Sequence, residues 1–200
     1  MINNTDLISP VVYVITGPNG AGKTTFALEF LPRVADCRTF INADYIAKGL
    51  SPLDADTAAM EAGRLFLRQI RSFINERKTF AFESTLSGKG YVHLFNALKE
   101  KGYSVHLYYL WLQSCDLALK RIVERKRRGG HGIPKDVVER RFARSLKNLF
   151  KHYMPLADYC AIFDNSSSAP KLLFTRTLSQ EHILDRDKYE FILKQSRGEA

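Results

Sequence analysis

Apolar positions along the 200-residue chain follow two alternating patterns. Short runs of apolar, often β-branched residues fall at 11–16, 37–41, 79–82, 105–112 and 159–163, each of the length expected of a strand. The first run is apolar at consecutive positions and ends in a glycine-rich turn, as in a strand buried on both faces. Between the runs, apolar residues return with helical period. This holds from 22 to 31, for Ala59, Phe66, Ile70 and Phe73, for Leu119, Ile122 and Val123, and for Val138, Phe142, Leu146 and Leu149. Strands alternating with helices argue for a parallel sheet, because a parallel connection needs a crossover of about a dozen residues or more. The expectation is a single α/β domain over 1–200, three-layered around a five-stranded, mostly parallel sheet. A further edge strand at 172–177 and a last helix near 188–193 would occupy a C-terminal tail from 166 to 200.

The turn after the first run reads Gly17-Pro18-Asn19-Gly20-Ala21-Gly22-Lys23-Thr24-Thr25, and its first eight residues match the Walker A pattern G-x-x-x-x-G-K-[ST]. Its context is the one the mechanism requires, after a buried strand and at the start of a helix. Glycines let backbone N–H groups converge on phosphates, and the helix N-terminus adds partial positive charge. Gly17 to Thr25 are therefore the expected nucleotide-binding residues. Lys23 would reach the β- and γ-phosphate oxygens, and the Thr24 hydroxyl would hold Mg²⁺. The expected cofactors are ATP, with GTP as the alternative, and Mg²⁺, on a P-loop NTPase or kinase fold.

A phosphate loop alone does not separate a kinase from a motor, a switch or an ATPase. A kinase also needs a carboxylate to receive the acceptor's hydroxyl proton, and cations to stabilise the moving phosphoryl. Asp44 follows the second run, in Asn42-Ala43-Asp44, and Glu83 ends the third, in Phe82-Glu83-Ser84-Thr85. Ligands of open α/β sheets sit beyond the carboxyl ends of the strands, so both acids fall on the side of the phosphate loop. Residue types leave two readings open: an acceptor pocket, or acids that cap the helices after them, Asp44 before Tyr45-Ile46 above all. The fourth run leads only to Gln113, without the aspartate that motor ATPases use to hold the metal, which favours a kinase.

The loop, then Asn42-Ala43-Asp44 with Gly49-Leu50-Ser51-Pro52 and Ala55-Asp56, and then Phe82-Glu83-Ser84-Thr85-Leu86, together resemble the zeta toxin family of P-loop kinases. Gly130-His131-Gly132-Ile133-Pro134, Arg140-Arg141-Phe142 and Ser145-Leu146-Lys147-Asn148-Leu149 are similar to its compact, stand-alone members. The resemblance spans about residues 11–165. It implies ATP-dependent phosphorylation of a small hydroxyl-bearing acceptor, for the better-known members the sugar of UDP-N-acetylglucosamine, and an antitoxin protein as partner. Carried over by position, Asp44 is the base for the acceptor hydroxyl, and Glu83 and Thr85 line the acceptor and metal side. Larger members place a lid arginine near where this chain has Gly130-His131, and their acceptor-binding segments are longer.

Charge sharpens this picture. Of a net +9, a segment of 28 residues from Lys120 to Lys147 carries eleven bases against three acids, leaving nineteen against eighteen elsewhere. Arg121, Arg125 and Arg128 recur at i, i+4 and i+7 before a glycine hinge at 129–132, and Arg140, Arg144 and Lys147 repeat the spacing after it. Two helices about a glycine hinge have the makings of a lid over 120–147 that brings guanidinium groups to the phosphates, with Arg125 and Arg128 as candidate catalytic residues. The rival reading, a nucleic-acid groove or nucleic-acid kinase, would need exposed aromatics among the bases, and Phe142 and Phe150 lie in the apolar stripe instead. A regulatory NTPase is the third reading. His131 in the hinge has no assigned task, Trp111 is expected in the core, and Asp164 is expected to cap or turn the chain.

What remains is exclusion. No run of about 18 apolar residues crosses a membrane. Three widely spaced cysteines, Cys37, Cys115 and Cys160, suit neither a disulfide framework nor a zinc site, and the first ten residues lack a leader's basic and apolar regions. A cytoplasmic protein is expected.

Overall fold

A computed structural model describes residues 9–129 and 132–199. Gly130 and His131, the centre of the expected hinge, lie outside the described residues. The strands are β1 (Val11–Thr16), β2 (Phe40–Ile41), β3 (Phe80–Ser84), β4 (Ser104–Trp111), β5 (Tyr159–Asp164), β6 (Lys171–Thr177) and β7 (Glu181–Ile183). They form one sheet in the order β2-β3-β1-β4-β5-β6-β7. The first five are parallel, and β6 and β7 add on antiparallel beyond β5. The core of five parallel strands stands as expected, and the sheet is extended by two strands rather than one.

Helices cover both faces: α1 (Lys23–Arg33), α2 (Ala43–Leu50), α3 (Ala59–Asn75), α4 (Gly90–Glu100), α5 (Cys115–Arg127), α6 (Lys135–Asn148) and α7 (Arg186–Arg197). A π-helical turn (Leu149–Tyr153) and a 3-10 turn (Met154–Leu156) follow α6. Because side chains alternate along a strand, β1 sends Val12 and Val14 to one core and Ile15 to the other. The first core includes Phe66 and Ile70 of α3, Phe95 and Leu98 of α4, and Ile192 of α7. The second takes Phe26, Ala27 and Leu31 of α1 with Ala118 and Ile122 of α5. Val123, read from the sequence as part of the apolar face, is instead 51% exposed; Ala118 and Ile122 make the contact. Trp111 is buried as expected, its indole N–H donating to Gln195 Oε1 at 2.8 Å.

The order places β1 between β3 and β4, so the chain leaves β1 toward one side of the sheet and later returns on the other. Such a reversal opens a crevice at the carboxyl ends of the strands. Helix α6 spans that end, burying Val138 in the core over α1 and α5 and Leu146 in the opposite one.

Candidate active site

The phosphate loop sits at the carboxyl end of β1, in the crevice. Gly17 has φ 138°, and a Cβ there would lie 2.3 Å from the Leu110 carbonyl oxygen, so the loop packs on the end of β4 only because this residue is glycine. Gly22 begins α1 at φ 79° with no side-chain cap, and the first turn holds no acid. The first N–H groups of the helix are thus left for an anion.

A cavity of about 800 Å³ opens over this loop. Its walls come from the loop and α1, from Asn42 and Asp44, from Glu83 and Thr85, from Arg125 and Arg141, and from Asn165 to Pro170 on the far side. Lys23 is 8% exposed, and its ammonium donates to Pro18 O at 3.1 Å. Burial pushes its pKa below the usual lysine range. The carboxylates of Glu83 and Asp44 work against that, and the guanidinium groups of Arg125 and Arg141 add to it. Two acids and two arginines therefore surround the lysine of the loop, the charge pattern for holding polyphosphate beside a reacting hydroxyl.

Asp44 does not cap α2. That task falls to Asn42, whose Oδ1 accepts from Tyr45 N–H at 3.1 Å and whose amide lies 3.5 Å from Thr24 Oγ1. Asp44 is exposed in the first helical turn and lines the cleft. Glu83 is half-buried, and its Oε2 accepts from the Thr24 hydroxyl at 2.7 Å. Burial raises its pKa, against Lys23 and the Thr24 hydrogen bond, which lower it. Thr24 Oγ1 and Glu83 are hard oxygen donors side by side. Among the described residues no cluster of three or more His, Cys, Asp or Glu makes a dedicated metal cage. Mg²⁺ characteristically takes one or two protein oxygens together with phosphate and water, so the residues fit it. The nucleotide fits as well: the start of α1 is uncapped and its first turn holds no acid, so its N–H groups are open to phosphate.

The raised Glu83 pKa has a measurable outcome. If Glu83 helps hold Mg²⁺, only its carboxylate form would do so, and the advantage of MgADP over ADP in binding should then fall at a higher pH than an ordinary glutamate would set. Calorimetric titration of both species at several pH values checks this, and Glu83→Gln should abolish the dependence.

Residues 85–88 are held from α6 and the π-helical turn after it. Ser145 Oγ donates to Thr85 O at 2.5 Å, Asn148 Nδ2 donates to Leu86 O at 3.0 Å, and the Tyr153 hydroxyl donates to Gly88 O. Leu86 needs this support, because its φ of 49° is unfavourable for a side chain of its kind. Thr85 itself lines the cleft, its hydroxyl 3.0 Å from that of Ser87.

The arginines divide. Arg125 lines the cleft. Arg128 lies at the end of α5 in a shallower groove with Lys48, Glu124 and Gly129, which shares Arg121 and Arg125 with the cleft. Arg121 is spent on the chain itself, its guanidinium donating to the carbonyls of Asn165, Ser166 and Ser167 at 2.8, 3.2 and 3.3 Å. Arg140, Arg144 and Lys147, the expected second stripe, are all exposed, and it is Arg141 that enters the cleft. The reason is the face of α6: Arg141, Ser145 and Asn148 stand at i, i+4 and i+7, and the last two already hold the loop after β3. Arg141, Asn42 and Asn165 are the site residues that sequence reasoning did not single out.

The fold has counterparts. The crystal structure of AvrRxo1-ORF1:-ORF2 with ATP superposes with a TM-score of 0.73 at 18% identity, over 92% of this chain and 63% of that one. A protein of the PezAT chromosomal toxin-antitoxin system of Streptococcus pneumoniae does so with 0.61 at 13% identity, over 96% and 87%. An uncharacterized protein of Haemophilus influenzae is 33% identical over 126 residues, 63% of this chain and 88% of its own. The family model for zeta toxin matches residues 2–170, from before β1 to the loop after β5, and on that match this chain belongs to the zeta toxin family.

Proposed function

We propose that the protein is a kinase that transfers the γ-phosphoryl group of ATP to a hydroxyl of a small molecule. The observation that carries this reading is the convergence of Asp44 and Glu83, from two strand ends, on the cleft of the phosphate-loop lysine. An NTPase that only switches or hydrolyses has no need of a second carboxylate wall facing an open acceptor space.

The roles follow from position. Asp44, exposed to the cleft, accepts the proton of the acceptor hydroxyl as oxygen attacks phosphorus. Lys23, Arg125 and Arg141 balance the charge on the phosphoryl oxygens as the bond to the leaving oxygen breaks. Thr24 and Glu83 are the residues that would hold Mg²⁺, which supplies neutralisation of the β- and γ-phosphate charge. Since the acceptor acids lie toward β2 and β3, the γ-phosphoryl faces that side and the nucleoside extends toward β5 and residues 165–170. A nucleotide sugar such as UDP-N-acetylglucosamine is the acceptor class that family membership puts first to trial. An antitoxin partner is proposed on the same ground, supported by the PezAT likeness. Free Cys37, Cys115 and Cys160 suit a reducing cytoplasm, and among the described residues no helix is long and apolar enough to cross a membrane.

Loss of Arg125 or Arg141 should lower turnover about 10²-fold or more, whereas Arg140→Ala and Arg144→Ala should stay within about twofold. Steady-state rates with a saturating acceptor check the division. The kinase reading itself is tested by ATP consumption with and without a small-metabolite extract. Acceleration by the extract is expected. Hydrolysis indifferent to it would favour a regulatory NTPase, and label retained on RNA or DNA, with binding lost steeply as salt rises, would favour a nucleic-acid enzyme.

A further inference from the structure

The family model ends at residue 170, and β6, β7 and α7 follow it. This C-terminal unit is tied to the cleft at one point. Asp164, the last residue of β5, is 6% exposed, and its Oδ2 accepts from the Lys188 ammonium at 2.6 Å. Its Oδ1 accepts from Ser166 N–H at 2.9 Å, inside the loop that lines the nucleoside end of the cleft. Lys188 is fixed in turn, because its own N–H donates to Asp185 Oδ1, the N-cap of α7, at 3.1 Å. The start of the loop is fixed separately. Asn165 Nδ2 donates to Ala21 O of the phosphate loop at 2.7 Å, Ser166 Oγ accepts from Gln113 N–H at 3.0 Å, and Arg121 grips three successive carbonyls from the α5 side. Burial works to raise the Asp164 carboxyl, but the Lys188 ammonium and the Ser166 groups outweigh it and hold the carboxyl below the usual range.

We infer that Lys188 is a positioning residue for the nucleotide: through Asp164 it braces the 165–170 loop, so that the C-terminal unit sets affinity for the nucleoside end of the bound nucleotide. The inference rests on the ATP-binding reading given above. A buried carboxylate needs a partner wherever it lies, so what matters is which elements supply its partners. This one receives its cation from a helix 24 residues further along and spends its other oxygen on the loop that faces the ligand. A loop ordered before binding spares the ligand the entropy of ordering it.

The test is calorimetric titration of the full chain with MgADP and, separately, with magnesium tripolyphosphate, which has no nucleoside. Lys188→Met should weaken MgADP about fivefold, a modest figure because the ammonium is partly exposed, and should leave tripolyphosphate unchanged. Asp164→Asn, which keeps an oxygen for Ser166 N–H, should behave alike, and Lys188→Arg should restore affinity to within about twofold. Gln195→Ala cuts a separate hydrogen bond of α7, to Trp111, and should lower thermal stability without changing MgADP affinity. Unchanged MgADP affinity in Lys188→Met, an equal loss for tripolyphosphate, or an equal loss in Gln195→Ala would overturn the brace. Failure of the parent protein to bind MgADP would overturn the nucleotide reading, and the brace with it.

Discussion

Lys23→Met should reduce phosphoryl transfer by about 10³-fold or more, with the thermal midpoint kept within about 3 °C of the parent. Methionine retains the unbranched apolar stem and loses only the ammonium. In the free protein that ammonium is poorly placed, since burial disfavours its charge and its hydrogen bond goes back to the loop at Pro18 O. A buried lysine whose folded pKa is lowered opposes folding at pH values below its unfolded pKa, so removing its charge relieves that cost near neutrality, while Glu83 loses a counter-ion. These two effects oppose each other, which keeps the fold. With nucleotide bound they no longer offset one another. The ammonium is then the charge inside the loop that meets the phosphates, and a dry cleft makes its interaction with developing negative charge large. Thermal denaturation beside a transfer assay separates the two consequences. A large fall in midpoint would mean that Lys23 is structural.

Asp44→Asn should lower transfer by about 10²- to 10⁴-fold and leave MgATP affinity within about twofold. Asparagine has the same shape and keeps a hydrogen-bond acceptor, but it cannot take a proton. The helix is indifferent to the change, because Asn42 and not Asp44 caps α2. On the proposed orientation nucleotide contacts should change little, because Asp44 enters the cleft from the β2 side, across from residues 165–170, and acts on Lys23 only through charge. The contrast with Lys23→Met is therefore in kind: one variant has lost charge on the donor, the other the base for the acceptor. Rates at saturating ATP and calorimetric affinities distinguish them. Transfer at the parent rate by Asp44→Asn would remove the base assignment.

The phosphate loop was legible because its chemistry is contiguous, and β1 because it is apolar on both faces. Asp44 and Glu83 were legible as strand-end acids, yet only the structure shows that Asn42 and not Asp44 caps α2. Residues 37–39 read as strand but are not, since the Cys37 N–H is spent on Leu31 O at the end of α1 and pairing starts at Phe40. Helix α4 escaped notice although Tyr91, Phe95 and Leu98 carry its period; β7 has three exposed residues and no pattern to read. The arginines show the limit most clearly. Spacing along α6 groups Arg140, Arg144 and Lys147 as well as any other set, and only the crossing of α6 over the strand ends turns Arg141 into the cleft. Likewise, Arg121 shares a stripe with Arg125 but is claimed by three backbone carbonyls that lie 44 to 46 residues away in sequence.

The most direct test of the central claim is to incubate the protein and its Asp44→Asn variant with ATP labelled at the γ-phosphate and a cellular small-molecule extract, and then to separate the labelled species. Label on a low-mass hydroxyl compound with the parent protein, and its absence with the variant, is the predicted result. Label recovered only as inorganic phosphate, or the same labelled compound from both proteins, would contradict the account.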